Sequence, residues 1–242
     1  MQKLLSKLRQ AINDYALIQS GDKIAVGLSG GKDSLTLLRL LREYKNFSPE
    51  KFDLIAITLN PGSGADFSPL HDFCKSIDVE FHEIPTDIKE IVFDIRKEKN
   101  PCSLCAKLRR GALNDYAKKF NCNKIALGHH KDDAIETLLL SMFYEGRVSC
   151  FSPKTRLEKA DITLIRPMIY LEEYQTRKFC RDNSLPIIEN PCPANGHTKR
   201  EDIKNTIKML GKDIPSIKKN LFGSLTNSDQ LFIWDKEKIK KH

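Results

Sequence analysis

The sequence has no long apolar run, and this shortage limits the classes to which the protein can belong. No stretch approaches the roughly 20 consecutive apolar residues that a membrane-spanning helix needs. The first 16 residues mix charged side chains with leucines at helical spacing, without the uninterrupted apolar core of a secretion signal. We therefore expect a cytoplasmic protein with no membrane partner.

Closely spaced pairs of cysteines are also few. The 242 residues contain seven cysteines, an odd number that argues against a fully paired disulfide framework. Only Cys102 and Cys105 form a C-x-x-C motif, and a second C-x-x-C, as a four-cysteine zinc site would use, is missing. Four of the others stand singly in apolar or mixed surroundings, which favours small buried side chains. These four are Cys74, Cys122, Cys150 and Cys180.

Acidic residues are outnumbered by basic ones, 32 to 40, which gives a formal net charge of +8. A basic surface favours a polyanionic partner, because clustered Lys and Arg release counterions from phosphates. A merely soluble basic protein remains the alternative from charge alone. The hydrophobic fraction of 40% is sufficient for a globular protein with a sizeable core.

Apolar strand patterns alternate with amphipathic helix patterns along the chain. This alternation predicts an α/β fold with a doubly wound parallel sheet. The predicted strands are 23–28, 53–59, 79–84, 124–128 and 162–165, and the predicted helices are 3–18, 34–44, 69–77, 103–120, 132–144, 172–183 and 199–220. We predict an N-terminal helix in residues 1–20, the α/β domain in 21–184 and a basic helical extension in 185–242.

A glycine-rich loop follows the first predicted strand and opens a helix. In Ser29-Gly30-Gly31-Lys32-Asp33-Ser34, the glycines let backbone N–H groups surround an anion. The helix N-terminus and Lys32 add positive charge, and Asp33 is a candidate magnesium contact or helix cap. The loop is not the common P-loop, which would need Gly at Val26 and Ser or Thr at Asp33. The sequence therefore predicts a phosphate site of another type.

The pair Cys102 and Cys105 begins a predicted helix, so two thiolates could bind one metal or neighbouring irons. Cys192, between two prolines in a predicted loop, is the next candidate ligand. Three cysteines suit a [4Fe-4S] cluster with one open iron. A zinc site with His197 as fourth ligand and a redox dithiol are the alternatives.

Three separated motifs carry a resemblance to a known family. They are S-G-G-K-D-S, P-C-S-L-C-x-x-L-R-R-G and I-A-L-G-H-H-x-D-D. The loop is similar to that of the N-type ATP pyrophosphatases, and the whole set, from about Leu4 to about Leu210, resembles the tRNA 2-thiocytidine synthetase family. The resemblance implies an adenine nucleotide α hydrolase-like fold, ATP with Mg²⁺, a [4Fe-4S] cluster and a tRNA partner. It also implies thiolation of an anticodon-loop cytidine, at position 32.

By the same resemblance, residues of this chain acquire predicted roles. ATP would be bound by Ser29, Gly30, Gly31, Lys32, Asp33, Ser34, Gly128 and His129. Catalytic roles would fall to Lys32, Asp133 and Arg109. The cluster would be held by Cys102, Cys105 and Cys192. Asp132 is the alternative to Asp133, and either carboxylate could instead cap the helix that follows.

The sequence also departs from the family pattern. Asn60 directly follows the second predicted strand, at a place where relatives often carry Asp. In the region of Cys192, the second C-x-x-C of many relatives is missing. Thiolation of another base such as uridine, a lysidine synthetase-like ligase and a non-catalytic RNA-binding module are therefore retained as alternatives. The resemblance further implies a sulfur donor, either sulfide or a cysteine desulfurase system, and a homodimer.

Overall fold

The computed structural model describes residues 1–62, 64–96, 101–188 and 198–227. The helices in these ranges are α1 (Gln2–Asp14), α2 (Lys32–Phe47), α3 (Ser68–Ser76), α4 (Pro101–Lys119), α5 (Lys131–Glu145), α6 (Glu173–Asp182), α7 (Lys199–Asp213) and α8 (Ile217–Thr226). The strands are β1 (Lys23–Gly27), β2 (Asp53–Asn60), β3 (Glu80–Pro85), β4 (Lys124–Ala126), β5 (Lys154–Leu157) and β6 (Ile162–Ile165). A π-helical turn covers Glu90–Ile95, and a 3-10 turn covers Glu158–Ala160.

The six strands form one sheet in the order β3-β2-β1-β4-β6-β5. All neighbouring pairs are parallel except β5 and β6, so the predicted α/β sheet is confirmed with one antiparallel edge. β5 was not among the predicted strands, and it pairs antiparallel with β6. The 3-10 turn and the left-handed Asp161 (φ 54°) reverse the chain into a hairpin, which needs no crossover helix.

Alternate side chains of the central strand serve two different cores. Ile24 and Val26 pack on one face of the sheet with α1, α2 and α6, whereas Ala25 packs on the other face with Ile125 and Ala117 of α4. Successive residues of a strand point to opposite faces, so a strand covered on both sides is apolar throughout. This explains why residues 23–28 read as a buried strand and not as an alternating one.

The helix predicted over residues 199–220 is in fact two helices. α7 ends at Asp213 and α8 begins at Ile217, with Pro215 between them. Proline lacks a backbone N–H and disfavours helical conformation in the residue before it, so a helix cannot run through this position without a break.

The described residues form two compact units. The larger unit, residues 1–131 and 152–188, contains the whole sheet. The smaller unit, residues 132–151 and 198–227, is helical, with Ile135 and Leu139 of α5 packed against Ile203 and Ile207 of α7. Of the helices in the described part of the chain, none is long and apolar enough to span a membrane.

Candidate functional site

The phosphate loop lies at the point where the sheet reverses its winding. β1 lies between β2 and β4 in the sheet. After β1 the chain continues to β2 and β3 at one edge, and after β4 it continues to β5 and β6 at the other edge. Parallel strands end on the same side, and a crevice forms where the strand order reverses. Ser29–Ser34 follow β1, and Gly128 and His129 follow β4. The fold therefore brings together two of the predicted nucleotide-binding segments.

Ser34 closes the loop on itself. Its buried hydroxyl donates to the Gly31 carbonyl at 2.9 Å and accepts from the Ser29 N–H at 3.2 Å. Gly30 has φ +80°, a backbone conformation that residues with a side chain rarely adopt. Its carbonyl accepts a hydrogen bond from the Ile188 N–H. The N-cap residue of α2 is Gly31, which has no side chain to bond the first turn, so the positive end of the helix remains suited to an anion. The loop is thus preformed, and a direct phosphate contact by Ser34 stays a prediction.

Lys32 lies between two carboxylates. Its Nζ is 2.7 Å from Asp33 Oδ2 and 3.1 Å from Glu173 Oε1, at the start of α6. Burial acts to lower the pKa of Lys32, but the hydrogen bonds and charges of Asp33 and Glu173 outweigh it, and the pKa is raised. The side chain is therefore cationic at neutral pH, as a phosphate ligand requires.

Asp33 is held from two other elements as well. Thr176 of α6 donates its hydroxyl to Asp33 Oδ1 at 2.6 Å, and Nε2 of the buried His130 lies 3.7 Å from the same oxygen. α6 begins with a capping box in which Glu172 and Gln175 bond each other's backbone, which fixes its first turn. Sequence reasoning missed Glu173 and Thr176, which share no local motif with the loop.

Gly128 allows the two segments to approach closely. A Cβ at this position would lie 3.0 Å from the Asp33 carbonyl carbon and 3.1 Å from Ser34 N. Both are backbone atoms in the first turn of α2, which cannot shift without disturbing the loop. The glycine thus has a packing reason to lie beside the phosphate loop.

We expect Gly128→Ala to weaken ATP binding about tenfold and to destabilise the fold by about 1–3 kcal/mol, because the added methyl displaces the loop backbone. Calorimetric titration with ATP and a thermal melt measure the two effects. Gly223→Ala in α8 is the matched control, because its Cβ would meet nothing within 4 Å. ATP affinity equal to wild type in Gly128→Ala would contradict the close-approach argument.

His129 is oriented by a buried arginine. Arg166 donates from Nε to His129 Nδ1 at 3.3 Å, and its Nη1 donates to the Ser152 carbonyl at 2.5 Å. A ring whose Nδ1 accepts a hydrogen bond carries its proton on Nε2 when neutral. Arg166 directly follows β6, so the neighbouring strand sets the orientation of a residue predicted to contact the nucleotide.

Asn60, the departure noted in the sequence, has a structural function at the end of β2. Its amide donates to Glu83 Oε1 at 2.7 Å, and its side-chain oxygen accepts from Gly62 N–H at 3.0 Å. Each of these contacts shapes the chain after β2, which accounts for an amide at this position, since an Asp could not donate to Glu83.

Asp132 and Asp133 lie in the smaller unit, in the first turn of α5. The buried Asp132 pairs with Lys218 at 2.6 Å, and Asp133 with Arg200 at 3.4 Å. Arg200 also reaches Glu136, another buried acid, at 2.9 Å. Burial raises the pKa of Glu136, and Lys204 and Arg200 oppose the shift.

The ion pairs with the acids of α5 involve basic residues of the C-terminal region. From the net charge of the sequence, these residues would be expected on a surface that faces solvent or RNA. Arg200, Lys204 and Lys218 hold acids of α5, and Lys199 lies over the Tyr144 ring at 4.3 Å. Three other lysines of α7 and α8 have exposed side chains: Lys208, Lys212 and Lys219. The catalytic assignment of Asp133 stays a prediction.

Cys102 and Cys105 occupy the first turn of α4, the former exposed and the latter half-buried. Residues three apart on a helix are neighbours, so the two thiols can act on one metal centre, and their chemistry fits iron. Cys192 lies outside the described residues. Within the residues that the structure describes, no group of three or more potential ligands is found. Arg109 follows on α4 and is half-buried.

The other described cysteines differ from this pair. Cys74, Cys122 and Cys180 are buried, and burial raises the pKa of Cys74 to about 12 and that of Cys122 to about 11. Cys150 is half-buried, contrary to the expected full burial, and its thiol donates to the Ala134 carbonyl. Burial keeps the thiols of Cys74 and Cys122 protonated at neutral pH, which makes them poor metal ligands. Among the cysteines that the structure describes, Cys102 is the exposed one.

Comparisons with known proteins agree with this geometry. The sequence model of the PP-loop domain family matches residues 1–210. A tRNA-cytidine(32) 2-sulfurtransferase from Geobacter sulfurreducens is 35% identical over 240 residues, 98% of this chain and 93% of its own length. The protein of the same name from Syntrophotalea carbinolica is 39% identical over 233 residues, 93% of this chain and 89% of its own.

A solved structure is similar over most of the fold. The U34-tRNA thiolase NcsA from Methanococcus maripaludis, with its [4Fe-4S] cluster, superposes with a TM-score of 0.76 at 26% identity. The match covers 92% of this chain and 76% of that chain. The chain therefore belongs to the PP-loop family, in the group of the tRNA-cytidine(32) 2-sulfurtransferases.

Proposed function

We propose that this protein is an ATP-dependent tRNA sulfurtransferase that replaces the C2 oxygen of an anticodon-loop cytidine, at position 32, with sulfur. One observation carries the proposal: a preformed phosphate loop with Lys32 at the sheet's switch point, in a chain that also presents Cys102 and Cys105 on one helical turn. The loop suits activation by ATP, and the thiols suit the iron–sulfur centre of a thiolating enzyme.

The loop and Lys32 would act on the phosphates in the first half of the reaction. The C2 oxygen of the base attacks the α-phosphorus of ATP, the bond to the β-phosphate oxygen breaks, and pyrophosphate leaves. Lys32 and the N-terminus of α2 offset the charge that develops on the leaving pyrophosphate. Mg²⁺ carried with ATP would share this task, with Asp33 as the nearest candidate contact.

The second half exchanges oxygen for sulfur. Hydrosulfide adds to C2, the bond from C2 to the adenylate oxygen breaks, and AMP leaves with the former carbonyl oxygen, while the S–H proton passes to solvent. Cys102, Cys105 and Cys192 would hold the [4Fe-4S] cluster, which supplies an open iron for sulfide when bound. The sulfur would come from sulfide, or from a cysteine desulfurase system whose persulfide sulfur a thiol reductant converts to hydrosulfide with two electrons. Arg109, on the same helix as the two cysteines, would face the anionic RNA.

The remaining parts of the proposal concern partners. Lys208, Lys212 and Lys219 have exposed side chains and are the better candidates for tRNA phosphates than the paired Arg200 and Lys218. Asp133 is proposed as a catalytic carboxylate and a homodimer as the assembly. Because tRNA and ATP are its proposed substrates, the reaction would take place in the cytoplasm.

The test is a reconstituted reaction with product analysis. The full chain, reconstituted anaerobically with iron and sulfide, is given ATP, Mg²⁺, sulfide and unmodified tRNA, and nucleosides are identified by mass spectrometry. We expect pyrophosphate release and 2-thiocytidine. A thiouridine product would show that the substrate base is a uridine, as in the name of the U34-tRNA thiolase of similar fold, and not a cytidine. Incorporation of added lysine without sulfur would identify a ligase, and no pyrophosphate would reject ATP activation.

A further inference from the structure

Lys32 is held by a residue outside the phosphate loop. Glu173, the first residue of α6, places Oε1 3.1 Å from Lys32 Nζ, and both side chains are about one-fifth to one-quarter exposed. One turn along the same helix, Arg177 Nη2 lies 3.2 Å from the same Oε1. One carboxylate oxygen is therefore shared between the loop lysine and a surface arginine.

An incoming pyrophosphate group must compete for Lys32. The ammonium already has two acids within 3.1 Å, and both raise its pKa against the effect of burial. Asp33 is the next residue in the loop and is tied to Thr176 at 2.6 Å. Glu173 belongs to another helix, and it keeps an ion pair with Arg177 when Lys32 moves away. Glu173 is thus the partner that can release Lys32 at least cost.

We propose that Glu173 is a positioning residue that holds Lys32 ready at the loop and yields it to the pyrophosphate group of ATP, while Arg177 sets how tightly Glu173 holds it. The inference rests on the proposed function, in which Ser29–Ser34 bind the phosphates of ATP. Glu173 acts through Lys32 and touches no substrate.

The two substitutions should shift affinity in opposite directions. Glu173→Gln keeps the length and a hydrogen-bond acceptor for Lys32 but removes a negative charge, so pyrophosphate competes with Asp33 alone and binds more tightly. Arg177→Gln removes the cation that competes for Glu173, so Glu173 attracts Lys32 more strongly and pyrophosphate binds more weakly. A purely structural role in α6 would give no opposite pair of shifts.

The measurement is calorimetric titration of the full chain with inorganic pyrophosphate and Mg²⁺. We expect the dissociation constant to fall about threefold in Glu173→Gln and to rise about twofold in Arg177→Gln, the range of partly exposed ion pairs. The double variant should match Glu173→Gln, because Glu173 is the acid with which Arg177 pairs, whereas a general charge effect would add the two single shifts. Both shifts should shrink at high salt.

Asp182→Asn is the matched control, since it removes one negative charge at the far end of α6, where Asp182 pairs with Lys178. Its effect on pyrophosphate affinity should be smaller than that of Glu173→Gln. Shifts of the same sign in both single variants, or none, would overturn the inference. The exposed Arg177 side chain makes its variant informative even if Glu173→Gln unfolds. Absence of ATP and pyrophosphate binding in the wild type would instead reject the proposed function.

Discussion

Lys32→Ala is expected to lower kcat/KM for ATP-dependent pyrophosphate release by about 100- to 1,000-fold, the loss typical of a preorganised electrostatic contact. Lys32 is the one cation among Ser29–Ser34, and its raised pKa keeps it charged. Without it, the carboxylates of Asp33 and Glu173 would face the phosphates without the ammonium group that pairs with both of them. The variant loses attraction and gains repulsion at the same atoms.

The experiment compares pyrophosphate release by the variant with that of Lys45→Ala. Lys45 lies in the last turn of the same helix and makes one exposed pair with Asp53. This control should retain wild-type activity and a similar melting temperature. If Lys32→Ala kept more than about a third of the wild-type rate, less than 1 kcal/mol of transition-state stabilisation, the role of Lys32 in ATP cleavage would be rejected.

The second large effect concerns the cysteine pair. Cys102→Ser and Cys105→Ser should each reduce bound iron from about four atoms per chain to a small remainder and abolish thiolation, because hydroxyl oxygen replaces a thiolate ligand. ATP binding should survive, since the phosphate loop is built from other elements. Lys32→Ala should show the reverse pattern, with normal iron content and strongly reduced pyrophosphate release. Cys192→Ser is expected to behave as the two helix variants do.

Iron analysis and visible absorbance after anaerobic reconstitution provide the measurement, with thionucleoside yield as the functional readout. Cys150→Ser is the control, because Cys150 is half-buried and a serine can still donate to the Ala134 carbonyl. It should bind iron as the wild type does. Full iron content in Cys102→Ser or Cys105→Ser would remove that residue from the ligand set.

The parts of the site that the sequence predicted are those encoded in short contiguous segments. Ser29–Ser34 are adjacent along the chain, and their chemistry follows from glycines, a lysine and a helix start. The Cys102 and Cys105 spacing is likewise local. The strand and helix periods were sufficient to predict the α/β class, and the structure confirms it.

The parts that escaped prediction join residues distant in sequence. Glu173 and Thr176 meet Lys32 and Asp33 across more than 100 positions, and Arg166 meets His129 from another strand. None of these contacts has a spacing rule, because each depends on how α6 and β6 pack against their neighbours. β5 escaped because its pattern of exposed and half-buried residues is typical of an edge strand with little apolar content.

Residue types and short spacings are sufficient to predict the chemistry of the two halves of the proposed reaction: a phosphate loop centred on Lys32 and a thiol pair at Cys102 and Cys105. The partners that hold these groups are visible in the folded chain alone. In the folded chain, Glu173 pairs with Lys32, and Gly128 packs against the backbone of the phosphate loop. The side chains of Arg200, Lys204 and Lys218 pair with acids of α5. The reason is that residue type and short spacing specify what a side chain can do, whereas charge pairing and close packing depend on distances between elements that the chain brings together only on folding.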